Sequence, residues 1–404
     1  MSEQPQPPRP LDGVKILEMG QLLAGPFAAA MLAWFGAEVI KIEPPGEGDP
    51  LRKFRRMYKG TALWWYSLGR NKKCVTLNLR DPRGQAIARQ LAARADVLLE
   101  NFRPGTLEKW GLGYEELKRI NPRLIMSRVS GFGQTGPYAA RPGYASVAEG
   151  YGGLRYVNGF PDRPPARPNL SMGDTLAGLH AALGILLALY HRDARGTGAG
   201  QMIDVAIYEA VFNMMESTVP EYDKLGEIRE RQGTKISGIV PSNTYVTRDE
   251  KYVIIGGNGD SIFKRLMTAA GREDLANDPR LARNDGRVTH EALIDEAIQT
   301  WTSQHTYAEI YETLERADVP VGPIYSVAEM MQDPQFEARA MFEEADLGAG
   351  DKVRLPTFIP KLSDTPGHTD WIGPALGAHN REIYGGLLGI SDDEIAALKA
   401  DGVI

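Results

Sequence analysis

An aspartate at the start of an apolar helix is the residue whose position best suits covalent chemistry. Asp174 follows Gly173, and from there apolar residues recur at helical spacing, at Leu176, Leu179, Leu183, Leu186 and Leu187. An aspartate in this place could cap the helix by accepting bonds from its first N–H groups, which typically contributes about 1 kcal/mol. It could instead be a carboxylate nucleophile, with backbone N–H groups stabilising an oxyanion. The rest of the chain has to decide between these interpretations.

Composition excludes several classes of function. The 404 residues are 43% hydrophobic and 24% charged, enough for a large core and two domains. A net charge of -6, with 46 Lys and Arg spread along the chain, provides no basic face for nucleic acid. The single cysteine, Cys74, excludes an intrachain disulfide, and the six scattered histidines lack zinc-ligand spacing. We therefore expect a cytoplasmic protein without a structural metal.

Two segments bear on targeting and membranes. Residues 1–10 are polar and proline-rich, which predicts a disordered lead-in without the apolar core of a secretory signal. The longest apolar run, 176–190, is shorter than the about 20 residues of a membrane span, and it contains His180. This run is predicted to form a buried core helix, and no membrane partner is expected.

Short apolar segments that alternate with helices predict an α/β fold with a Rossmann-like, doubly wound parallel sheet. The predicted strands are 14–19, 37–42, 74–79, 97–99, 124–129 and 201–204, with helices at 27–34 and 84–95. In such sheets ligands bind at the carboxyl ends of the strands. Because no G-x-G-x-x-G follows the first strand, a dinucleotide is not the expected ligand.

A change in composition marks a second domain. The large domain is predicted at 11–217, a charged linker at 218–227 and a smaller α+β domain at 228–328. The small domain begins with a predicted hairpin, 242–246 and 252–256. Amphipathic helices are predicted after it at 262–270, 291–304 and 307–317, and a short helix at 392–400.

Five segments together resemble one family. In chain order they are AGPFAAAMLAWFGAEVIKIEPPGEGD, LLENFRPGTLEKWGLGYEELKRINPRLI, SGFGQTGPY, GDTLAG and GTGAGQMIDVAIYEA. From about residue 11 onward the chain is similar to the class III CoA-transferases, or CaiB/BaiF family, which also contains acyl-CoA racemases. The resemblance implies that Asp174 is the nucleophile, and that CoA thioesters are substrates, with no tightly bound cofactor. It also implies that residues 329–404 return to the large domain and that two ring-shaped subunits interlock as a homodimer.

The resemblance also assigns CoA-binding positions, residue by residue. Matches to the family's CoA or site-lining contacts are Gln21, Ala24, Leu77, Asn78, Arg80, Asn101, Phe102 and Lys109. Lys109 matches a basic residue that meets phosphate, and a helix N-terminus near Thr106 is expected to favour the same charge. The chain departs from some members at Leu23, where they have glutamine, and at Pro44, where they have arginine.

Racemase members of the family carry a histidine and an aspartate about thirty residues before the motif aspartate. This chain has Tyr144 and Ala145 there. Neither side chain supplies a base with a pKa near neutrality, which proton exchange beside the thioester requires. Racemase is therefore the weaker alternative. Tyr144 is either a hydrogen-bond donor in the pocket or a packed aromatic residue.

A glycine-rich loop, Gly256-Gly257-Asn258-Gly259, follows the predicted hairpin. By itself it indicates a tight loop, in which we expect positive φ angles that alanine would penalise. In transferase members a glycine-rich loop at this place covers the nucleophile, so the resemblance implies a lid. Asn258 and Asp260 distinguish it from the all-glycine loop of formyl-CoA:oxalate transferase, which disfavours that substrate pair.

The sequence thus predicts a transferase that moves CoA from an acyl-CoA to a small di- or hydroxy-carboxylate of the succinate or malate type. A carboxylate nucleophile can do this through an aspartyl anhydride and an aspartyl-CoA thioester. Arg163 and Arg167, shortly before Asp174, could pair with a distal carboxylate of the acid. The alternatives are an acyl-CoA racemase and a non-catalytic acyl-CoA-binding subunit of a homologous pair.

Overall fold

The computed structural model describes residues 8–404, so most of the predicted lead-in lies outside the described residues. The strands are β1 (Lys15–Glu18), β2 (Glu38–Glu43), β3 (Met57–Tyr58), β4 (Thr61–Ala62), β5 (Lys72–Thr76), β6 (Val97–Glu100), β7 (Ile125–Ser130), β8 (Met202–Ala206), β9 (Ser242–Val246), β10 (Tyr252–Gly256), β11 (Val321–Pro323), β12 (Phe342–Gly348) and β13 (Asp351–Pro356). The helices are α1 (Ala24–Trp34), α2 (Leu63–Leu68), α3 (Pro82–Ala92), α4 (Thr106–Lys109), α5 (Tyr114–Ile120), α6 (Ala145–Tyr151), α7 (Leu154–Val157), α8 (Met172–Leu189), α9 (Ile207–Phe212), α10 (Thr218–Leu225), α11 (Asp260–Ala269), α12 (Glu273–Ala276), α13 (Asn284–Thr289), α14 (Glu291–Thr302), α15 (Tyr307–Arg316), α16 (Val327–Met330), α17 (Pro334–Ala338) and α18 (Asp392–Ala400).

The chain divides into two compact units. Unit 1 comprises the chain up to Leu154, Pro168–Glu216 and Ala340–Ile404, and unit 2 comprises Arg155–Arg167 and Ser217–Arg339. The predicted linker at 218–227 is instead largely helix α10 of unit 2. Gly226 ends this helix at a φ of 69°, a left-handed conformation that glycine adopts at little cost.

Unit 1 contains the predicted doubly wound sheet. Its strands are parallel and lie in the order β5-β2-β1-β6-β7-β8. The order reverses between β1 and β6, because the chain leaves β1 toward β2 and later returns to pair β6 on the other side of β1. The α/β prediction is therefore confirmed, and the crevice expected to bind ligand lies at the carboxyl ends of β1 and β6.

Alternating side chains of these strands fill two separate cores. Ile16 of β1 and Val97 of β6 point into the core shared with α1 and α8. Their neighbours Leu17 and Leu98 point to the other face, where they pack with α3 and with the C-terminal residue Ile404. Because successive residues of a strand face opposite sides, a strand covered on both sides is apolar throughout.

Helix α8 is present as predicted, but its leucines do not form its buried face. The buried side chains are mostly small, namely Gly173, Ala177, Gly178, Ala181, Ala182, Ile185, Ala188 and Leu189. The exposed stripe consists of Leu179, Leu183, Leu186, Leu187 and Tyr190, between 40% and 63% exposed. The predicted core helix is therefore buried on one face and exposed on the other. Small side chains line the packed face because they let α8 approach α1 closely.

Among residues 8–404, Met172–Ala194 is the one helical stretch whose length and hydropathy would suffice to cross a membrane. Within it, 44% of the apolar window is buried inside the protein. Its small-residue face belongs to the same core as β1, β6 and α1. A helix packed in this way meets the length and composition criteria for the same reason as any apolar core helix.

The edge strand β5 is covered by residues near the C-terminus. His379 and Cys74 exchange hydrogen bonds, with the Cys74 N–H donating to His379 Nδ1 at 3.1 Å and the His379 N–H donating to the Cys74 carbonyl at 3.0 Å. The Asn380 side chain bonds both the N–H and the hydroxyl of Thr76, and the Tyr384 hydroxyl donates to the Thr76 carbonyl at 2.7 Å. These bonds occupy main-chain groups of Cys74 and Thr76 that would otherwise be unpaired at the edge of the sheet.

Unit 2 has its own antiparallel sheet, in the order β11-β10-β9. The hairpin β9–β10 has the predicted bounds, 242–246 and 252–256. Side chains of this sheet pack with α11, α14 and α15 in a separate apolar core, which contains Val253, Phe263 and Ile298. The amphipathic pattern that predicted these helices is thus accounted for by one shared core.

Candidate active site

Asp174 lies in the first turn of α8 and is not the residue that caps it. The N-cap is Ser171, whose side chain makes no capping hydrogen bond, and Asp174 is the third helical residue. Its side chain is half-buried. The capping interpretation of Asp174 is therefore wrong. A negative charge in the first turn is nevertheless stabilised by the helix dipole, by about 0.3–1 kcal/mol.

The residue before Asp174 is held tightly by α6 and α9. The Gly173 N–H donates to Oε1 of Glu149 at 3.3 Å, and Glu149 is fully buried. A β-carbon on Gly173 would lie 3.1 Å from Cγ2 of Ile207 and 3.3 Å from Cβ of Ala145. A side chain here would force these neighbours to move by a few tenths of an ångström, so the packing closely fits glycine. The start of α8 is therefore fixed in position.

One turn further along α8, Gly178 brings the helix against α1. A β-carbon on Gly178 would lie 2.8 Å from the carbonyl oxygen of Ala24 and 2.9 Å from Cδ1 of Phe27. Residues four apart share a helix face, so Asp174 and Gly178 lie on the same side of α8. The first turn of α1, with the predicted site residue Ala24, is thus next to the turn of α8 that carries Asp174.

Gln21 and Asn101 meet where the strand order of the sheet reverses. Gln21 follows β1, and Asn101 follows β6. The Gln21 N–H donates to Oδ1 of Asn101 at 2.7 Å, and Nδ2 of Asn101 donates to the Gln21 carbonyl at 2.8 Å. The structure therefore brings together two predicted site residues, at the crevice where open α/β sheets bind ligands.

The segment predicted to bind the nucleotide follows β5. Leu77 is buried, with its N–H donating to the Glu43 carbonyl at 2.8 Å. The side-chain oxygen of Asn78 accepts from the Arg80 N–H at 3.1 Å, which closes a local turn. Arg80 itself is exposed. The exposed guanidinium is available to an anionic ligand.

The segment after β6 continues the same edge. Phe102 packs edge-to-face against Trp110, with ring centroids 5.5 Å apart. Lys109 is exposed at the end of α4. Because α4 is only four residues long, the dipole expected near Thr106 is small. The positive charge that could attract a phosphate here is therefore mainly that of the Lys109 side chain.

A buried carboxylate lies directly beneath this segment. Oε1 of Glu100 accepts from Nε of Arg128 at 2.7 Å, and Oε2 accepts from the Phe102 N–H at 2.7 Å. Burial raises the pKa of Glu100 to about 7, although Arg128 acts in the opposite direction. Glu100 therefore titrates near neutral pH at the base of the predicted CoA-binding edge.

The predicted CoA residues occupy the carboxyl ends of three strands in one parallel sheet. In the sheet order, β2 and β1 separate β5 from β6. With about 4.8 Å between neighbouring strands, the ends of β5 and β6 are about 14 Å apart. Such an edge is suited to an elongated ligand.

Tyr144 does not belong to this packed edge. It is the N-cap residue of α6 and is 73% exposed, so it is not the packed aromatic residue that was one of the two alternatives. Ala145, beside it, is buried. Its methyl group occupies the space next to Gly173.

The loop 256–259 lies in unit 2 and is held by a buried arginine. Arg287, fully buried, donates from Nη2 to the Asn258 carbonyl at 2.7 Å and pairs with Asp260 at 2.9 Å. The expected positive φ angles are absent, since none of the glycines of this loop has one. What restricts Gly257 is space, because a β-carbon there would lie 2.5 Å from Cδ2 of Leu266.

The comparisons with known proteins agree with these observations. Residues 11–380 match the family described as CoA-transferase family III. The chain belongs to this family. It is 51% identical over 408 residues to the succinyl-CoA–D-citramalate CoA-transferase of Chloroflexus aurantiacus, with 100% of both chains covered. It is 41% identical to the beta subunit of the succinyl-CoA–L-malate CoA-transferase of the same organism, over 98% of each chain.

A solved structure supports the same assignment. The fold is similar to that of a CaiB/BaiF family protein from Brucella suis, with a TM-score of 0.82 and 36% identity. The match covers 95% of this chain and 100% of that chain. The resemblance inferred from the sequence is thus confirmed, and the protein is a family III CoA-transferase with CoA thioesters as substrates.

Sequence reasoning missed one residue beside this candidate site. Glu149 is a buried carboxylate that accepts a hydrogen bond from the N–H of Gly173, and Gly173 directly precedes the predicted nucleophile. The signal was a single glutamate in the otherwise small and apolar segment ASVAEGYGG. Among residues 8–404, no three His, Cys, Asp or Glu side chains are grouped as metal ligands.

Proposed function

We propose that this family III CoA-transferase moves CoA from succinyl-CoA to a small hydroxy-dicarboxylic acid, with Asp174 as the nucleophile. The observation that supports this most strongly is the fixed start of α8. Gly173 is packed against α6 and α9, and Gly178 is packed against α1, so the turn that carries Asp174 is held on both sides. Holding a nucleophile in one geometry lowers the entropic cost of reaction.

The proposed reaction needs only the carboxylate and the two substrates. An oxygen of Asp174 attacks the thioester carbonyl, the carbon–sulfur bond breaks, and an anhydride and CoA thiolate result. The thiolate then attacks the aspartyl carbonyl, which releases succinate and leaves an aspartyl-CoA thioester. The acceptor carboxylate attacks this thioester, and the released thiolate attacks the acceptor's acyl carbon, which regenerates Asp174. No proton is gained or lost over the cycle.

CoA is proposed to lie along the carboxyl edge of the sheet. Arg80 and Lys109 are exposed cations on this edge, suited to the phosphates. Phe102, held by Trp110, offers an aromatic surface to the adenine or the pantetheine. Gln21 and Ala24 would line the thioester end, because they lie next to the helix that carries Asp174.

The acceptor is proposed from the similar proteins. One is named for D-citramalate and another for L-malate, both hydroxy-dicarboxylic acids. Arg163 and Arg167 remain the proposed partners of the distal carboxylate. The Arg163 guanidinium lies 5.6 Å from the ring centroid of Phe160, a contact that leaves its N–H groups able to bond an anion.

We also propose that the loop 256–259 shields the anhydride from water. The support is its glycine-rich composition together with the anchoring of Asn258 by Arg287, which gives it one defined conformation. Tyr144, which is exposed, is proposed as a hydrogen-bond donor to substrate. A cytoplasmic location is proposed because the sequence has a single cysteine, Cys74, which is buried and forms no intrachain disulfide.

A homodimer is proposed from the leucine stripe of α8. Leu183 and Leu187 are more than half exposed on one face of this 18-residue helix, and so is its C-cap residue, Tyr190. An apolar stripe of this kind on a protein surface marks an interaction site. A second copy of this chain is the proposed partner.

A non-catalytic subunit of a homologous pair is the second candidate. One similar protein is itself a beta subunit, so a chain of this family can work with a second one. The two candidates differ in what the purified chain does alone. Incubation with succinyl-CoA and a panel of D-citramalate, L-malate, glutarate and oxalate, with product masses recorded, would distinguish them. Transfer by the chain alone supports the proposal, and transfer only after a second chain is added supports the alternative.

A further inference from the structure

The loop between β1 and α1, residues 20–23, is held by side chains from outside it. Asn101 uses both ends of its carboxamide on one residue, accepting from the Gln21 N–H and donating to the Gln21 carbonyl. Gly20 also lies close to this side chain, since a β-carbon there would be 3.1 Å from Oδ1 of Asn101. A single carboxamide therefore fixes the main chain of Gln21 in the way that a neighbouring strand would.

On the other side, a buried charge cluster holds the same loop. Oδ1 of Asp49 accepts from the Leu22 N–H at 3.0 Å, and Nζ of Lys41 donates to the Gly20 carbonyl at 2.8 Å. Lys41 also pairs with Glu18 and with Asp49, each at 2.8 Å. All three charged side chains are buried.

Lys72 is a second buried cation that pairs with Glu18 at 2.8 Å, so two ammonium groups balance the two carboxylates. Burial alone would lower the pKa of Lys41, but the carboxylates of Asp49 and Glu18 raise it. Burial alone would raise the pKa of Asp49, but Lys41 lowers it. Both groups therefore stay ionised. Buried charges that are paired and hydrogen-bonded resist displacement, because moving one would leave the other without compensation.

The loop needs this support because its conformation is unfavourable. Leu22 has a φ of 62°, which is unusual for a residue with a branched side chain. Strained residues of this kind persist where the surroundings over-determine them, and they cluster at functional sites. Within residues 8–404, the half-buried carboxamide of Gln21 has no hydrogen-bond partner. The loop thus presents one unbonded polar side chain at the crevice where the strand order reverses.

We propose that Asn101 and Asp49 are positioning residues, which hold the loop 20–23 so that Gln21 and the first turn of α1 face the thioester. This inference rests on the proposed function, and it replaces the direct CoA contact predicted for Asn101. The polar atoms of Asn101 are directed to Gln21, and Asp49 is too deeply buried to touch a ligand. Both residues act on catalysis through the loop.

The test compares Asn101→Ala and Asp49→Asn with a matched control, Asn121→Ala. Asn121 also bonds main chain with its carboxamide, to the carbonyls of Ala92 and Ala95 at 3.2 and 2.9 Å. It precedes β7 and so lies at the opposite end of the sheet. Loss of its bonds removes comparable interactions without touching the loop.

The kinetic readout is kcat and KM for succinyl-CoA. Asn101→Ala and Asp49→Asn are expected to lower kcat about 10- to 100-fold, as small misplacements near a reacting centre do, with KM nearly unchanged. Their combined effect should be less than the product of the single effects, because both act through one loop. Asn121→Ala should keep the wild-type kcat. A raised KM with normal kcat in Asn101→Ala would indicate that Asn101 contacts CoA directly, and it would overturn the proposal.

Hydrogen exchange supplies a readout that does not depend on activity. The amides of Gln21 and Leu22 should exchange faster in Asn101→Ala and in Asp49→Asn, and at the wild-type rate in Asn121→Ala. If Asp49→Asn fails to fold, Asn101→Ala alone carries the test. Unchanged exchange at Gln21 in Asn101→Ala would overturn the proposal. If the wild-type protein transfers no CoA, the proposed function fails, and that outcome is distinct from a failure of the loop to loosen.

Discussion

The main-chain N–H of Gly173 donates a hydrogen bond to the buried carboxylate of Glu149 at 3.3 Å. Through this bond, the Glu149 carboxylate pairs with one of the free N–H groups at the start of α8. Helix capping of this kind is one of the two roles that the sequence predicts for Asp174. The first turn of α8 thus has an acidic partner in α6. Asp174 is accordingly not needed as a cap and is suited to chemistry.

Replacement of Glu149 tests this relationship. Glu149→Leu should lower the unfolding free energy by about 1–3 kcal/mol, because the buried Gly173 N–H loses its acceptor. It should also slow transfer, since the turn carrying Asp174 is released. Glu149→Gln keeps an acceptor oxygen and should retain most of the activity. Urea unfolding and steady-state kinetics check both, and equal loss of activity in the two variants would contradict a role based on the hydrogen bond.

Glu100 predicts a pH dependence of stability. Burial raises its pKa from 4.5 to about 7 in the folded protein. Between these two pKa values, Glu100 holds a proton in the folded state that it has lost in the unfolded chain. The unfolding free energy therefore falls as pH rises through this range. The expected fall between about pH 5 and about pH 8 is about 2–3 kcal/mol.

Glu100→Gln isolates this contribution, because all other groups titrate alike in both proteins. Gln keeps one acceptor oxygen, which can still accept from either Arg128 or the Phe102 N–H, and it does not titrate. Urea unfolding at several pH values should show a flatter profile for the variant than for the wild-type protein. Identical profiles would mean that Glu100 is ionised throughout this range.

The loop 256–259 predicts different effects for two neighbouring glycines. Gly257→Ala should displace the loop, because the new methyl group would lie 2.5 Å from Leu266 and 3.1 Å from Pro241. Hydrolysis of acyl-CoA relative to transfer should then rise, as water reaches the anhydride. Gly256→Ala is the control, since its nearest neighbour would be Pro320 at 3.6 Å. An unchanged ratio of hydrolysis to transfer in Gly257→Ala would mean that the loop is only a structural turn and does not shield the anhydride.

The leucine stripe of α8 predicts an oligomeric state. The wild-type protein should sediment as a dimer, and Leu187→Glu should weaken the dimer, because a charge would enter an apolar interface. Leu187 is 61% exposed in the single chain, so the substitution leaves the core intact. Ile120→Glu, at a 47% exposed position on α5, is the matched control. A wild-type monomer at micromolar concentration would contradict the dimer.

Sequence patterns were informative where local spacing alone determines structure. The parallel strands, the hairpin β9–β10 and helix α18 follow from periodicity and turn residues, and each is found where predicted within a few positions. The start of α8 at Met172 was likewise indicated by the glycine and the apolar spacing that follow it.

What periodicity could not determine was which face of α8 is buried. The leucines carried the larger hydrophobic signal, but α1 and the sheet accept only small side chains at that distance, so Ala181 and Gly178 face inward and Leu187 outward. Nor could spacing show that Asn101 bonds Gln21, because these two residues are 80 positions apart in the sequence. Glu149 was missed for the same reason.

The central claim is that Asp174 carries the acyl and CoA intermediates, and peptide mass spectrometry tests it most directly. The protein is incubated with succinyl-CoA, quenched with hydroxylamine and digested, and Asp174→Asn is treated in parallel. Hydroxylamine converts an aspartyl anhydride or thioester to a hydroxamate, whereas an amide side chain forms neither intermediate. The account predicts a hydroxamate at Asp174 in the wild-type protein alone, together with CoA transfer that is lost in Asp174→Asn. Transfer without modification of Asp174, or normal turnover by Asp174→Asn free of deamidated protein, would contradict it.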